Sequence, residues 1–148
     1  MEIHNDFKEL LELFNASDIE YVIVGGYALA AHGAPRTTGD IDLLVKPSRE
    51  NATRVLRTLE QFGIGLELGI EDFVKPDHVV QLGVPPVRVD LLTAIDGVTW
   101  DEAWSGKLAG GYGSVPTPYL GRRQFITNKR TSGRRKDLAD LEALGEEV

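Results

Sequence analysis

The 148-residue chain contains no cysteine and a single methionine. Missing thiols exclude a disulfide-stapled fold and any zinc site built on thiolates. No run of about 20 apolar residues occurs, the length that a membrane-crossing helix needs. The opening Met1-Glu2-Ile3-His4-Asn5-Asp6 is acidic and polar where a signal peptide carries positive charge and then an apolar stretch. These absences set the expectation of a cytoplasmic location and no membrane partner. Internal repeats, low-complexity tracts and linkers are missing too. What is present, 42% hydrophobic and 26% charged residues, is the composition of an ordinary globular protein, which excludes a wholly disordered or collagen-like chain. The length predicts one domain that folds without metal or disulfide staples.

The net charge of −7 argues against indiscriminate nucleic-acid binding. Its distribution is uneven, however. Arg122, Arg123, Lys129, Arg130, Arg134, Arg135 and Lys136 make up seven of the sixteen basic residues, with no acid among them, whereas nine basic and eighteen acidic residues precede Arg122. The chain is acidic first and basic late.

Phe7, Leu10, Leu11 and Phe14 recur at spacings of three and four, which predicts a helix with one buried face over Asp6 to Ser17. Tyr21 to Val24 reads as a buried strand that stops at Gly25-Gly26, and Tyr27 to His32 as a short Ala-rich helix after that turn. A second strand covers Asp40 to Val45. Ser48 stands where an N-cap opens a helix carrying Val55, Leu56, Leu59 and Phe62, which Gly63 ends. Further on, His78 to Leu82 predicts a strand and Ile70 to Phe73 a single turn. Val87 to Leu92 predicts another strand, with Pro85-Pro86 suited to an edge or a strand entrance. Trp100 to Lys107 reads as a short helix, Gly110 to Gly113 as a turn or loop, and Arg122 to Thr131 and Arg134 to Leu144 as two helices punctuated by Gly133. Strands and helices therefore alternate within one α/β or α+β unit.

Asp40-Ile41-Asp42-Leu43 is the segment richest in chemistry. Strand alternation puts Asp40 and Asp42 on one face, their α-carbons about 6.7 Å apart, with Ile41 and Leu43 turned to the core. Two carboxylates some 4 Å apart repel by about 4 kcal/mol at an effective dielectric near 20. A divalent cation removes that repulsion, and hard oxygen ligands point to Mg²⁺ or Mn²⁺. Asp90 ends a second β-branched run, and it reaches the same pocket if the two strands pair. Three aspartates from neighbouring strands suit two cations and an in-line displacement at phosphorus, with Asp90 as both ligand and base. Gly25-Gly26 ahead of a helix offers open backbone N–H groups to a phosphate.

The strings Val24-Gly25-Gly26-Tyr27-Ala28-Leu29-Ala30-Ala31-His32-Gly33 and Arg36-Thr37-Thr38-Gly39-Asp40-Ile41-Asp42-Leu43 resemble the signature of the nucleotidyltransferase superfamily related to DNA polymerase β. The form with His-Gly and Arg-x-Thr before Asp-Ile-Asp is similar to small bacterial proteins that include the nucleotidyltransferase toxins of abortive-infection systems. Ile126 to Lys129 and Gly133 to Leu144 resemble the end of those proteins. The resemblance implies a minimal nucleotidyltransferase fold of α+β class, an α/β sandwich of mixed sheet flanked by helices. It would span residues 1–148, with a core over about 18–95 and C-terminal helices over about 120–145. It also implies Mg²⁺ (or Mn²⁺) on Asp40, Asp42 and Asp90, and transfer of a nucleoside monophosphate from an NTP. Gly25 and Gly26 then contact the triphosphate, helped by Arg36, Thr38 and Lys129, because Gly26 lacks the serine hydroxyl that many relatives carry there.

The acceptor stays open at this level: an RNA end such as that of tRNA, a protein side chain, or a small hydroxylated molecule such as an antibiotic. A cognate partner protein or a homodimer fits the lack of an added acceptor-binding domain, and a toxin-antitoxin or defence role fits the resemblance. The alternative is a catalytically silent nucleotide-binding or antitoxin-like module. His32 is expected to be structural, Trp100 and Trp104 to anchor a helix to the sheet, and Asp137 and Asp140 to form weak surface pairs with Arg134 and Lys136.

Overall fold

The computed structural model describes residues 3–34, 39–84 and 86–148. The β-branched run Tyr21–Val24 forms β1 and is buried along its whole length, as a strand covered on both faces must be. Helix α1 (Asn5–Ala16) lays Phe7, Leu10, Leu11 and Phe14 into the core. The next elements are α2 (Gly25–Ala31), β2 (Asp40–Val45) and α3 (Arg49–Phe62). Ser48 Oγ accepts the Asn51 N–H at the start of α3, and Gly63, at φ 86°, closes it in the left-handed conformation. The Asn51 amide is buried and bonded at every side, accepting from Glu20 N–H and donating to the Glu20 and Lys46 carbonyls. That one side chain ties α3 to the start of β1 and the end of β2.

Beyond a 3₁₀ turn at Ile70–Phe73 come β3 (Val79–Leu82), β4 (Arg88–Leu92), α4 (Trp100–Ser105), β5 (Leu108–Tyr112), β6 (Val115–Tyr119), α5 (Arg122–Ser132) and α6 (Arg135–Ala143). The six strands form one mixed sheet in the order β3-β4-β2-β1-β6-β5. β4 runs parallel to β2, and β6 parallel to β1; the other neighbours are antiparallel. This is the mixed sheet flanked by helices that the family resemblance implies.

The structure corrects the reading of Gly110 to Gly113 as a turn or loop. Gly110 and Gly111 lie within β5, which pairs with β6 from Leu108↔Tyr119 to Tyr112↔Val115. Prolines 116 and 118 hide β6 from sequence patterning, yet their spacing accommodates them. The Leu120 N–H donates to the Ile23 carbonyl of β1, and by strand alternation the absent N–H groups of Pro116 and Pro118 face the same way. The β1–β6 pairing is accordingly confined to Ile23↔Tyr119, while the β5 side keeps its full ladder. Past the start of β1, Asn15 Nδ2 takes over and donates to the Pro116 carbonyl at 2.8 Å.

The glycine turn also differs in detail, since α2 begins at Gly25 itself and not at Tyr27. His32 is structural, as expected: its Nε2 donates to the Leu120 carbonyl at 2.7 Å, and its ring packs on Phe125. Trp100 and Trp104 stack on each other and pack against the core. None of the helices among the described residues is long and apolar enough to cross a membrane.

Candidate active site

Alternation within β2 buries Ile41 and Leu43 and leaves Asp40 and Asp42 half-buried on the opposite face. The parallel register of β2 with β4 sets Asp40 beside Arg88 and Asp42 beside Asp90. Residues two apart on adjacent strands share a face, so three aspartates and one arginine occupy the corners of a small square. One oxygen from each of Asp40, Asp42 and Asp90 lies within 4.8 Å of the others. Burial, and then repulsion from Asp90 and from Asp40, pushes the Asp42 carboxyl up to about 6, against a smaller opposing pull from Lys129 and Lys136.

Arg88 answers part of this repulsion. Its Nε and Nη2 donate to Asp90 Oδ1 and Oδ2, each at 3.0 Å, and Nε lies 4.0 Å from Asp40 Oδ2. Sequence reasoning passed over Arg88. The signal was there: Arg88-x-Asp90 obeys the same two-residue alternation as Asp40-x-Asp42.

Val24 is paired with Asp42, so the chain leaves β1 directly beside the acid cluster. Gly25 turns there at φ 68°, and a Cβ at this position would run into Asp42 Oδ2. Gly25 is required on both counts, conformation and space. Gly25→Ala is expected to displace the Asp42 carboxylate and to lower divalent-cation affinity at least about tenfold, as read by Mn²⁺ titration. Equal affinity would show that the close approach has no consequence for the acids.

A cavity of about 440 Å³ opens at this point, lined by Gly25, Asp42, Asp77, Asp96, Lys129 and Arg134 among others. Gly26 is buried within α2 and does not line it. Asn128 Nδ2 donates to the Asp96 carbonyl and pins α5 against the segment after β4. From α5, Lys129 enters the cavity wall almost fully buried, with its Nζ 3.3 Å from Asp137 Oδ1 and 3.4 Å from Asp140 Oδ2. Arg134 Nε donates to Asp137 Oδ2 at 2.8 Å. Burial alone would raise the Asp137 carboxyl, but hydrogen bonds from Arg134 and Ser132 and the Lys129 charge outweigh it and hold it well below the usual carboxylate range.

Asp137 and Asp140 are thus buried partners of Lys129 and not the surface pairs expected from their spacing, although Arg134 does pair with Asp137. Of the other candidates, Gly25, Asp42 and Lys129 share one cavity, and Asp40 and Asp90 stand next to Asp42. Arg36 and Thr38 lie outside the described residues. Asp77 and Asp96 escaped notice because nothing in their local sequence marks them; the pairing of β3 with β4 brings their segments together, and Asn128 of α5 holds the second.

Three solved structures share this fold. A Thermotoga maritima protein assigned to the nucleotidyltransferases is 16% identical with a TM-score of 0.62, over 95% of this chain and 93% of that one. The lincosamide antibiotic adenylyltransferase LnuA, solved with lincomycin bound, is 14% identical with a TM-score of 0.62 over 98% of both chains. ANT(2″)-Ia in complex with adenylyl-2″-tobramycin is 15% identical with a TM-score of 0.59, over 93% of this chain and 84% of that one. No curated protein matches in sequence. The model of the aminoglycoside-2″-adenylyltransferase family matches residues 6–98. The chain belongs to that family, and with it to the nucleotidyltransferase superfamily.

Proposed function

We propose that the protein transfers a nucleoside monophosphate from an NTP to a hydroxyl of a small acceptor molecule. The observation that carries this reading is the in-register meeting of Asp40, Asp42 and Asp90 next to the Gly25 turn. Three hard oxygen donors within 4.8 Å, one of them made costly to ionise by burial and by its neighbours, suit Mg²⁺ or Mn²⁺. A cation held by Asp40, Asp42 and Asp90 would neutralise charge on the triphosphate and on the attacking oxygen.

The remaining work falls to the chain. Gly25, which lines the cavity, lets the triphosphate approach the backbone closely. Lys129, fixed by Asp137 and Asp140, directs its third N–H toward phosphate. Asp90 takes the proton of the acceptor hydroxyl, whose oxygen forms a bond to the α-phosphorus as the bond to pyrophosphate breaks. Arg36 and Thr38 remain candidates for contact with the terminal phosphates.

A small acceptor is supported by the family and by a cavity of about 440 Å³ beside the aspartates. Asp77 and Asp96 on its wall would suit an acceptor bearing amino groups. The test is incubation with each labelled NTP and Mg²⁺, together with an aminoglycoside, a lincosamide, total RNA or total protein. The expected outcome is label in an antibiotic. Label confined to RNA or protein would overturn the acceptor and favour a toxin-type activity, and NTP binding without label in any arm would favour the silent module.

A further inference from the structure

Arg88 is absent from the set of residues that sequence patterning selects, yet it makes the tightest ion pair in the acid cluster. Its planar fork meets both oxygens of Asp90 at 3.0 Å, the bidentate geometry that makes arginine–carboxylate pairs strong and directional. Approach between the two oxygens uses the lone pairs that face each other across the carboxylate, and these are the pairs a cation would also seek. The guanidinium also leans toward Asp40, at 4.0 Å. Arg88 is about 30% exposed along its side chain, whereas Asp90 is only 11% exposed. The arginine has solvent to move into; the aspartate is held in place.

We infer that Arg88 is a built-in competitor of the divalent cation at Asp90, so that metal loading is an exchange of one positive charge for another. The inference rests on the proposed metal role of the aspartate cluster. Two consequences follow from the geometry. The three aspartates are kept together by a charge that belongs to the chain, so the strand register does not depend on metal. Intrinsic affinity for the cation is also held down, so that strong loading requires a cation arriving with its triphosphate, whose own negative charge can receive the displaced guanidinium.

The test is titration of Mn²⁺ into EDTA-treated, desalted protein, followed by calorimetry and by the spin-resonance signal of free Mn²⁺. Wild type is compared with Arg88→Met, Arg88→Lys, Asp90→Asn and the Arg88→Met/Asp90→Asn double variant. Removing a unit charge beside the site is expected to tighten Mn²⁺ binding by about tenfold in Arg88→Met. Arg88→Lys keeps the charge without the fork and should fall between that variant and wild type. The gain should vanish in the double variant, because the contested ligand is gone. Melting in EDTA should be lower for Arg88→Met than for wild type, and saturating Mn²⁺ should close the gap. If Arg88→Met is unfolded without metal, refolding on Mn²⁺ addition, read by circular dichroism, replaces the melt; failure to refold counts against the inference. Affinity equal to or weaker than wild type in Arg88→Met would overturn it while leaving the metal site intact. Binding absent from both wild type and Arg88→Met, or indifferent to Asp90→Asn, would overturn the metal reading and the inference with it.

Discussion

Replacing Asp42 with Asn is expected to lower nucleotide transfer by at least about a thousandfold, measured as label moved from NTP to acceptor under saturating Mg²⁺. Asp42 is the member of the cluster that faces the cavity, abuts Gly25 and stands beside Asp90 in the strand register. An amide keeps its shape and removes its charge, so both cation affinity and the approach of the triphosphate suffer. Folding should not. In the protein the Asp42 carboxyl is burdened by burial and by two neighbouring aspartates, and the neutral amide is relieved of that repulsion. The EDTA-treated variant should therefore melt no lower than wild type. That pairing of a dead enzyme with an undiminished melting temperature distinguishes loss of a functional charge from collapse of the site. Full labelling by Asp42→Asn would remove the proposed mechanism.

Asp137→Ala is expected to act in the opposite sense, through stability first. Lys129 and Asp137 are both buried, and Arg134 closes the far side of the same carboxylate. Deleting Asp137 strips Arg134 of its partner and leaves the buried Lys129 charge with Asp140 alone, a loss of about 3 to 5 kcal/mol. For a chain of this size the melting temperature should fall on the order of 10 °C, read by circular dichroism at pH 7. The pH dependence has a definite sign. The Asp137 carboxyl titrates below its unfolded value near 4 because Arg134, Ser132 and Lys129 favour its charged form over the opposing effect of burial. Its contribution is thus present above about pH 4 and is lost as pH falls through the lower folded-state value. The gap between wild type and variant should hold from pH 7 to about 4 and narrow below that. A variant melting within 2 °C of wild type at pH 7, a difference of about 1 kcal/mol or less, would show that Asp140 alone satisfies Lys129.

The parts of the site legible from sequence were those that obey short periods. Strand alternation places Asp40 and Asp42 on one face and Ile41 and Leu43 on the other, whatever the strand pairs with, and β2 bears this out. The stripe Phe7, Leu10, Leu11 and Phe14 likewise marks the buried side of α1. Where local chemistry competes with tertiary context, the same reasoning failed. Gly110 and Gly111 read as a turn or loop and no strand was expected over Pro116 and Pro118, but β5 and β6 form because the prolines turn their donor-less side toward β1, where the ladder is a single pair. Asp137 and Asp140 read as exposed helix charges, but the packing of α6 on α5 encloses them around Lys129.

The amino-acid sequence determined the class of fold and the candidate acids, because hydrophobic period and strand alternation are local properties that survive in any pairing. It could not decide whether Asp90 would stand opposite Asp42. A slip of one residue between β2 and β4 would have turned Asp90 to the other face of the sheet. Only the assembled sheet, with α5 packed against the segment that follows β4, sets that register and buries Lys129 at the cavity wall. Such placements depend on contacts between residues far apart in the chain, and no stretch of sequence carries them alone.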